Sequence, residues 1–455
     1  MIEELKALLG PEKVKADSVS LEAYSTDATP EFQGMPDAVV FAESTEDVVK
    51  IINFANEKNV PLIARGAGSN LCAATVPISG GIVLALSKMN KIIEISKSEM
   101  LAVVQPAVNT LELDNEVAKL SLMYPPDPGS RNVSTIGGNI STCAGGLRGL
   151  KYGVTRNYVL GLEIVLGTGE VIRTGGRLVK DVAGYDLTRL FVGSEGTLGV
   201  ITEAIVALRP RPLFSRYGVA YFDSLENSAL AVEQIVASGI LPATLEFLDN
   251  VCINSVEDYA NLGLNREAGA LLLFGDDGDE HTAESNTSEM AKICEVTRGN
   301  LSVVRAKDVV EADALLEARR CSLPSLARLK SLSILEDISV SRPMLPTAVR
   351  RIDEIAKKYN LVIGTFGHAG DGNLHPTIVV DKNEPKEVEA AHLALGEIFN
   401  LAIELGGTIT GEHGVGAAKL PYLEARLGKT QMEVLRRVKK TFDPNGILNP
   451  GKLGS

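Results

Sequence analysis

The sequence has no tryptophan, few aromatic residues (5% of 455) and no long apolar run. A membrane-spanning helix needs roughly 20 consecutive apolar residues, and none of the apolar stretches approaches that length. The first residues, MIEELKALLG, also lack the apolar core of a signal peptide. We therefore expect a cytoplasmic protein that does not insert directly into a membrane.

Cysteine is also scarce, with five residues in all, and no two of them have the CxxC spacing of a metal or redox site. The odd number and wide spacing argue against a disulfide framework and against an iron–sulfur cluster. We expect these cysteines to be small buried residues in a reducing compartment. They are Cys72, Cys143, Cys252, Cys294 and Cys321.

Positive charge is in deficit, and the net charge of −13 argues against nucleic acid as a ligand. Solubility is the favoured explanation of the acidity, and an acidic patch that docks a basic electron-transfer partner is the alternative. Glycine, by contrast, is abundant at 43 residues, and many of these are clustered in a few loops. Clustered glycines indicate backbone that lies close to a ligand.

The pattern of apolar segments and breakers predicts an α+β protein of more than one domain. Strands and helices alternate up to about residue 210, where Arg209–Pro212 interrupts both kinds of element. From 213 to 405 the pattern predicts an antiparallel sheet covered by helices on one face. A helix at Leu435–Thr441 ends at the strong stop FDPNG.

Three glycine-rich loops are the first candidate site. Gly66 and Gly68 follow an apolar strand directly, a position that suits a nest of backbone N–H groups that binds an anion, although a plain tight turn is the better explanation of this loop alone. A second loop, Thr135–Gly146, carries four glycines among small hydroxyl residues, and a third covers Gly193–Ile201. Three such clusters in one part of the chain favour a phosphate-bearing cofactor.

The histidines are the second candidate site, because three of only five lie in two short glycine-rich motifs. His368 and His375, in FGHAGDGNLH, flank a turn between two expected strands, and His413 follows Glu412 in GEHGVG. Two imidazoles and a carboxylate with open positions suit a catalytic divalent ion. The alternative is that these histidines only form hydrogen bonds in buried turns.

Long motifs in the chain resemble one flavoprotein family. The chain resembles the vanillyl-alcohol-oxidase superfamily, which has a p-cresol-methylhydroxylase (PCMH)-type FAD domain. Within it, the chain looks like the branch of D-lactate dehydrogenase and the glycolate oxidase flavin subunit. The motifs that carry the resemblance are RGAGSN, PPDPGS, TIGGNISTCAGGLRGLKYG, VGSEGTLGVITE, GHAGDGNLH, GEHGVG and FDPNGILNPGK. The resemblance spans essentially the whole chain. It implies an FAD-binding domain of two α+β subdomains at 1–212, a substrate or cap domain at 213–410, and a segment at 411–455 that completes the active site and returns to the FAD domain.

The resemblance also implies which residues hold FAD. The expected attachment is non-covalent, because no histidine precedes His281 and neither Cys72 nor Cys143 matches an attachment position. The first loop would hold the pyrophosphate, the residues from Pro126 to Gly146 would line the flavin, and the last three would contact the adenine or ribose. These residues are Arg65, Gly66, Ala67, Gly68, Ser69, Asn70, Pro126, Asp127, Ser134, Gly137, Gly138, Asn139, Ser141, Gly145, Gly146, Glu195, Gly196 and Ile201.

For the chemistry, the resemblance implies that His368, His375 and Glu412 are ligands of a divalent metal ion (Zn, Fe or Mn) and that His413 is the base. An arginine would bind the substrate carboxylate, because its planar fork can clamp a carboxylate through two hydrogen bonds. Arg319 matches best, and Arg320 and Arg342 stay open as alternatives. Larger-substrate relatives place a lysine near the position of Leu335, so its absence favours a short monocarboxylate over 2-hydroxyglutarate.

The implied activity is FAD-dependent oxidation of a small D-2-hydroxy acid, with D-lactate to pyruvate favoured and glycolate or D-2-hydroxyglutarate as alternative substrates. Two other classes stay open, namely an electron-carrying subunit with an idle substrate site and a group-transfer synthase on the same fold. The chain has no cysteine motif for an iron–sulfur cluster and no fingerprint for a nicotinamide dinucleotide. Its electrons must therefore leave to another protein, a quinone or oxygen, and the resemblance favours an electron-transferring flavoprotein or an iron–sulfur subunit.

Overall fold

The computed structural model describes residues 1–307 and 309–455, and the chain divides into two compact units. The first unit comprises Met1–Gly145, Val154–Arg211 and Glu412–Ser455, and the second comprises Gly146–Gly153 and Pro212–Gly411. The chain thus leaves the first unit beside the Arg209–Pro212 breaker and re-enters it between Gly411 and Glu412. The inclusion of Gly146–Gly153 in the second unit has no signal in the sequence.

The first unit contains a four-stranded sheet near its N-terminus. Its strand order is Val14–Lys15, Ala38–Phe41, Ile82–Ala85 and Leu62–Arg65, and all neighbours are parallel except the first pair. The two central strands are apolar and almost wholly buried, as is typical of parallel strands.

The helix Thr45–Lys58 supplies Ile51 and Ile52 to the core of this sheet. Its first turn is capped by Ser44, whose Oγ accepts a hydrogen bond from Asp47 N at 3.3 Å.

A five-stranded antiparallel sheet forms the other half of the first unit. Its order is Ile92–Ser96, Leu101–Val104, Gly199–Ala207, Val159–Leu166 and Val171–Gly175. A short ribbon pairs Leu122–Met123 with Arg209–Pro210. The described α-helices of this unit are Ile2–Leu9, Ser18–Ala23, Thr45–Lys58, Thr110–Ala118, Ile136–Thr142, Leu187–Phe191, Leu420–Leu427 and Lys429–Phe442.

The second unit is built on one antiparallel sheet of eight strands. The order is Asn300–Arg305, Phe214–Phe222, Ala270–Gly278, Thr244–Asp249, Val362–His368, Asn373–Val380 and Leu332–Leu335, with Ile338–Ser339 also paired to Asn373–Val380. The described α-helices are Gly149–Tyr152, Leu225–Ala237, Asn250–Ala260, Glu280–Val296, Val309–Arg320, Ser322–Leu326, Leu345–Tyr359 and Pro385–Glu404. The predicted α+β class and the helix-covered antiparallel sheet are confirmed.

Helices cover both faces of this sheet, so the expectation of a single covered face is wrong. Leu271 and Leu273 pack in one cluster with residues of the helix Asn250–Ala260, while Leu272 and Phe274, on the opposite face, are also fully buried. Alternate residues of a strand point to opposite faces, so burial of both sets requires cover on both sides. Within the described residues, no helix is long and apolar enough to cross a membrane.

The C-terminal FDPNG motif closes a buried polar cluster in the first unit. Lys439 Nζ donates hydrogen bonds to Asp443 Oδ2 at 2.7 Å, to the Leu448 carbonyl at 2.8 Å and to the Thr197 carbonyl at 2.9 Å. Lys439 and Asp443 are both buried, and burial lowers the pKa of Lys439. Removal of one partner would leave a buried charge without compensation.

Replacement of Lys439 with methionine should therefore lower the free energy of unfolding by about 3 kcal/mol or more. The measurement is the midpoint of denaturant unfolding. Lys440→Met is the matched control, because Lys440 is exposed and donates to the backbone carbonyl of Pro444. Equal midpoints for the two variants would contradict the assigned role of the cluster.

Candidate active site

The first glycine loop, Gly66–Asn70, follows the strand Leu62–Arg65 and turns at Gly68, whose φ is +70°. Among the residues that the structure describes, none accepts a hydrogen bond from the backbone N–H groups of the first four loop residues. The Arg65 guanidinium is buried behind the loop and stacks on Tyr24 at 5.2 Å. A Cβ at Gly68 would lie only 2.4 Å from Arg65 Nη2, so this cation lies directly against the loop. Available N–H donors backed by a buried cation fit the pyrophosphate of a dinucleotide.

Asn70, at the end of this loop, stabilises the turn that follows. Its Nδ2 donates to Thr75 Oγ1 at 3.0 Å, and its Oδ1 accepts from Ala74 N at 2.8 Å. These contacts use the side chain within the protein. A direct contact between Asn70 and a cofactor therefore stays a prediction, like those of Ala67 and Ser69.

The second glycine loop is partly helical, with a short helix at Ile136–Thr142 where the sequence indicated only a loop. Thr135 caps the helix, because its Oγ1 accepts from Gly138 N at 3.3 Å. A Cβ at Gly137 would lie 2.5 Å from the Pro106 Cβ, and one at Gly66 would lie 2.5 Å from Thr135 Oγ1. Glycine is therefore required for the close packing of the two loops in this unit.

Polar residues predicted to line the flavin are hydrogen-bonded within the protein. Thr110 Oγ1 lies 2.9 Å from Ser134 Oγ and accepts from Asn139 Nδ2 at 2.8 Å. Ser141 Oγ donates to the Gly137 carbonyl at 2.8 Å. We conclude that these side chains hold the loop in shape, and their contacts with FAD stay predictions.

Of the remaining predicted flavin residues in the first unit, Asp127 is buried and pairs with Arg131 at 3.0 Å. Pro126 is buried beside it, and Ile201 belongs to the core of the unit. Gly196 lies in a turn with φ +69°. Gly146, in contrast, groups with the second unit. Contacts of these residues with FAD stay predictions.

The third cluster contains Glu195, which the sequence predicts to contact the adenine or ribose. Its side chain has another use, since its carboxylate accepts hydrogen bonds from Val415 N at 2.6 Å and Gly416 N at 2.7 Å. Burial raises the pKa of Glu195. The predicted cofactor contact stays untested, but the carboxylate of Glu195 is already occupied by protein amides.

Glu412 and His413 belong to the first unit, where a Cβ at Gly145 would lie 2.6 Å from Glu412 Oε2. Glu412 therefore lies directly against the second glycine loop. His413 Nε2 is 3.8 Å from Glu412 Oε1, and the His413 carbonyl accepts from Cys72 Sγ at 3.1 Å. The predicted base thus lies next to the predicted carboxylate ligand within this unit.

His368 and His375 lie on one β-hairpin of the second unit. The hairpin joins Val362–His368 to Asn373–Val380 through a tight turn at Ala369–Asp371. The two imidazole rings are perpendicular, with centroids 5.3 Å apart. The sequence-based expectation that these side chains face one point agrees with this geometry.

A buried glutamate that the sequence analysis missed connects His368 to an arginine. Glu246 Oε1 lies 2.8 Å from His368 Nδ1, and Glu246 Oε2 accepts from Arg319 Nε at 2.7 Å. Arg319 also stacks on Phe366, with its guanidinium carbon 4.7 Å from the ring centroid. Because an ionised carboxylate only accepts hydrogen bonds, Nδ1 of His368 is the donor, and in the neutral imidazole Nε2 then carries the lone pair.

His375 has a comparable arrangement. Its Nδ1 lies 3.3 Å from the Glu336 carbonyl and 3.9 Å from Asp337 Oδ1, so the same tautomer places the lone pair on Nε2. Asp337 in turn accepts from Asn373 Nδ2 at 2.6 Å and Gly411 N at 2.8 Å. An imidazole with Nδ1 held by a carboxylate or carbonyl is the usual arrangement of a metal ligand. The histidine pair therefore fits a divalent ion.

Of the three candidate arginines, Arg319 alone is buried. Arg320 is exposed and lies 3.7 Å from Glu317, and Arg342 Nε donates to the Gly370 carbonyl at 2.6 Å. Arg319 uses Nε for Glu246, and among the described residues none accepts a hydrogen bond from its Nη groups. Those two donors are what a bidentate carboxylate contact requires.

Known proteins share both the sequence and the fold of this chain. Residues 36–175 match the family model "FAD binding domain", and residues 211–453 match "FAD linked oxidases, C-terminal domain". The Bacillus subtilis (strain 168) protein named glycolate oxidase subunit GlcD is 50% identical over 99% of this chain and 96% of that protein. A protein of Archaeoglobus fulgidus named D-lactate dehydrogenase is 37% identical over 95% of both chains.

A solved structure of p-cresol methylhydroxylase with substrate bound gives a TM-score of 0.83 over 100% of this chain and 96% of that chain, at 18% identity. This likeness shows the fold and confirms the predicted PCMH-type architecture. The matched FAD-binding domain contains the first two glycine loops described above. The chain therefore belongs to the FAD-linked oxidase family, and it is an FAD-dependent oxidoreductase.

Proposed function

We propose that the protein oxidises a small D-2-hydroxy acid, with D-lactate as the preferred substrate and pyruvate as the product. The observation that carries the proposal is the histidine hairpin, where His368 and His375 face each other with Nδ1 held by Glu246 and by the Glu336 carbonyl. An electron-carrying subunit with an idle substrate site would have no need of this arrangement. The names of the two sequence relatives point to hydroxy-acid chemistry as well.

Two groups would assist the residues of the chain. FAD, held non-covalently by the glycine loops, would supply a hydride acceptor at N5. A divalent metal ion (Zn, Fe or Mn), held by His368, His375 and Glu412, would supply Lewis-acid polarisation of the substrate hydroxyl.

The chain itself would perform two tasks. His413 would take the hydroxyl proton on an imidazole nitrogen, which is the usual role of a histidine base near neutral pH. Arg319 would fix the substrate carboxylate through its Nη groups and so orient the C2 hydrogen for transfer. Glu246 would hold Arg319 and His368 in a fixed relation, since it bonds to both.

The size of the substrate is inferred from Leu335. This residue lies on the strand Leu332–Leu335 and packs against a hydrophobic cluster. Larger-substrate relatives place a lysine near this position, whereas this chain has leucine there and so no cation. An apolar side chain there gives no partner to a second carboxylate. A short monocarboxylate is therefore favoured over D-2-hydroxyglutarate.

Glycolate is the second candidate substrate, favoured by the name of the relative with 50% identity. Glycolate lacks only the methyl group of lactate, and one methyl group in an apolar pocket changes specificity by only about 10- to 200-fold. We also propose that electrons leave to a protein partner, namely an electron-transferring flavoprotein or an iron–sulfur subunit, in keeping with the word "subunit" in that name.

Steady-state turnover of the purified flavoprotein with an artificial dye as electron acceptor tests the proposed substrate class. We expect kcat/KM to be highest for D-lactate, lower for glycolate, and lower than for D-lactate by at least about 100-fold for both L-lactate and D-2-hydroxyglutarate. A higher value for glycolate would transfer the proposal to the second candidate. Absence of turnover with all four acids would refute it.

A further inference from the structure

Glu195 connects three segments of the first unit. Its backbone N donates to the Ser141 carbonyl at 2.8 Å in the second glycine loop, and its backbone carbonyl accepts from Asn449 Nδ2 at 2.8 Å in the C-terminal segment. Its carboxylate accepts from Val415 N and Gly416 N, at 2.6 and 2.7 Å. Glu195 is buried and adopts a left-handed conformation, with φ +53°. A non-glycine residue in that conformation is costly and persists only where its surroundings hold it.

The segment that the carboxylate holds needs such an anchor. Residues 411–416 form no helix or strand, so regular backbone hydrogen bonds do not fix their conformation. Two glycines allow the close approach, because a Cβ at Gly414 would lie 2.8 Å from Glu195 Oε1 and one at Gly416 would lie 1.9 Å from the Cys72 carbonyl oxygen. The two glycines of the GVG sequence therefore let the segment pack closely against the Glu195 carboxylate on one side and against the Cys72 backbone on the other.

A carboxylate suits this position better than any neutral side chain. Its two oxygens accept from two successive N–H groups, and hydrogen bonds to an ionised acceptor are about twice as strong as neutral ones. Glutamine has the same length, but its NH₂ group would face one of these N–H donors. Aspartate keeps the charge and shortens the reach by one methylene.

We propose that Glu195 is a positioning residue for the oxidation. By holding Val415 and Gly416, it fixes the backbone that carries Glu412 and His413, while its own backbone is bonded to the second glycine loop. This role depends on the proposed function, since Glu412 and His413 are catalytic only if the hydroxy-acid chemistry is right. The anchoring of the segment does not depend on it.

Two measurements on the flavin-loaded protein with Glu195→Gln test the two parts separately. Hydrogen–deuterium exchange of the peptide that contains Val415 and Gly416 should become at least about tenfold faster, because the substitution weakens hydrogen bonds to a charged group. The kcat for D-lactate should fall by about 10- to 100-fold, as expected when catalytic groups are misplaced by about 1 Å, with flavin content retained. Glu195→Asp should restore part of both values. Glu203→Gln, at a partly exposed position on the strand Gly199–Ala207, should change neither.

Unchanged exchange in Glu195→Gln would overturn the anchoring role. Faster exchange with wild-type kcat would overturn the positioning role. A fall in kcat would overturn it as well if Glu195→Asp shows no part of that fall and if loss of flavin or a lower melting temperature accounts for it. If Glu195→Gln does not fold, Glu195→Asp decides through the same exchange and kcat values, with intermediate losses expected. Failure of the wild-type protein to oxidise any of the hydroxy acids would instead refute the proposed function, and the exchange result would still decide the anchoring.

Discussion

Replacement of His413 with alanine should lower kcat by at least about 100-fold while the protein keeps its flavin. The expected loss follows from the assigned role, because no other group would take the hydroxyl proton at that position. His413 is in the first unit, next to Glu412 and held through its carbonyl by Cys72 Sγ. The backbone contact does not involve the imidazole, so alanine preserves it. The measurements are steady-state turnover and the ratio of flavin absorbance to protein absorbance.

The control for this prediction is His281→Ala. His281 is exposed on the helix Glu280–Val296, so its loss should leave both values unchanged. A His413→Ala protein with full flavin and near-normal turnover would contradict the assignment of the base. A loss of flavin together with turnover would point to a role for His413 in folding of the segment.

Replacement of His375 with alanine should abolish metal retention and with it nearly all turnover. Loss of a residue that only orients a metal ligand costs about 10- to 100-fold in metal affinity, and loss of a ligand itself should cost more. His375 is almost fully buried, with 2% of its surface exposed, so no surface group can replace it readily. Elemental analysis of the purified protein gives the metal content per chain, and turnover is measured before and after addition of each candidate ion.

Glu246→Gln provides a graded comparison, because it keeps an oxygen near His368 Nδ1 and removes the charge. We expect this variant to lose about 10- to 100-fold in metal affinity and to recover turnover at high metal concentration. His392→Ala, at an exposed position of the helix Pro385–Glu404, is the control and should retain wild-type metal content. Full metal content in His375→Ala would contradict the assigned ligand set. A wild-type protein that contains no metal and still turns over after treatment with a chelator would refute the proposed metal site.

Much of the fold could be predicted from the sequence because breakers separate its elements clearly. The Arg209–Pro212 stretch marks the passage from one unit to the next, and the antiparallel sheet of the second unit follows from short apolar runs between turns. The apolar run from Ser333 to Val340 forms parts of two strands, Leu332–Leu335 and Ile338–Ser339, which are separated by the buried acidic residues Glu336 and Asp337. The helix Val309–Arg320 is followed closely by the shorter helix Ser322–Leu326.

The helix within the second glycine loop could not be predicted from local propensity. Glycine disfavours helix, and Ile136–Thr142 contains two glycines in succession. The helix forms because Thr135 caps it and because Gly137 allows close packing on Pro106. Tertiary packing outweighs propensity here.

The buried acids of the candidate site were missed for a related reason. Glu246 lies within the apolar strand Thr244–Asp249, and its partners Arg319 and His368 are 73 and 122 residues away in the chain. No local spacing connects such residues. One signal was available, since a lone glutamate in a strand that is otherwise buried must find a partner. The sequence likewise gave no signal that the Glu195 carboxylate accepts hydrogen bonds from Val415 N and Gly416 N, and the predicted contact of Glu195 with the cofactor stays a prediction.

The most direct test of the central claim is anaerobic mixing of the flavin-loaded protein with D-lactate in a stopped-flow spectrophotometer. Oxidation of a 2-hydroxy acid by this flavin predicts loss of the oxidised flavin's visible absorbance within the first turnover, with one pyruvate formed per flavin. The His413→Ala protein should lose the same absorbance at least about 100-fold more slowly. Flavin that stays oxidised with D-lactate and with glycolate, in protein that contains its metal, would contradict the account.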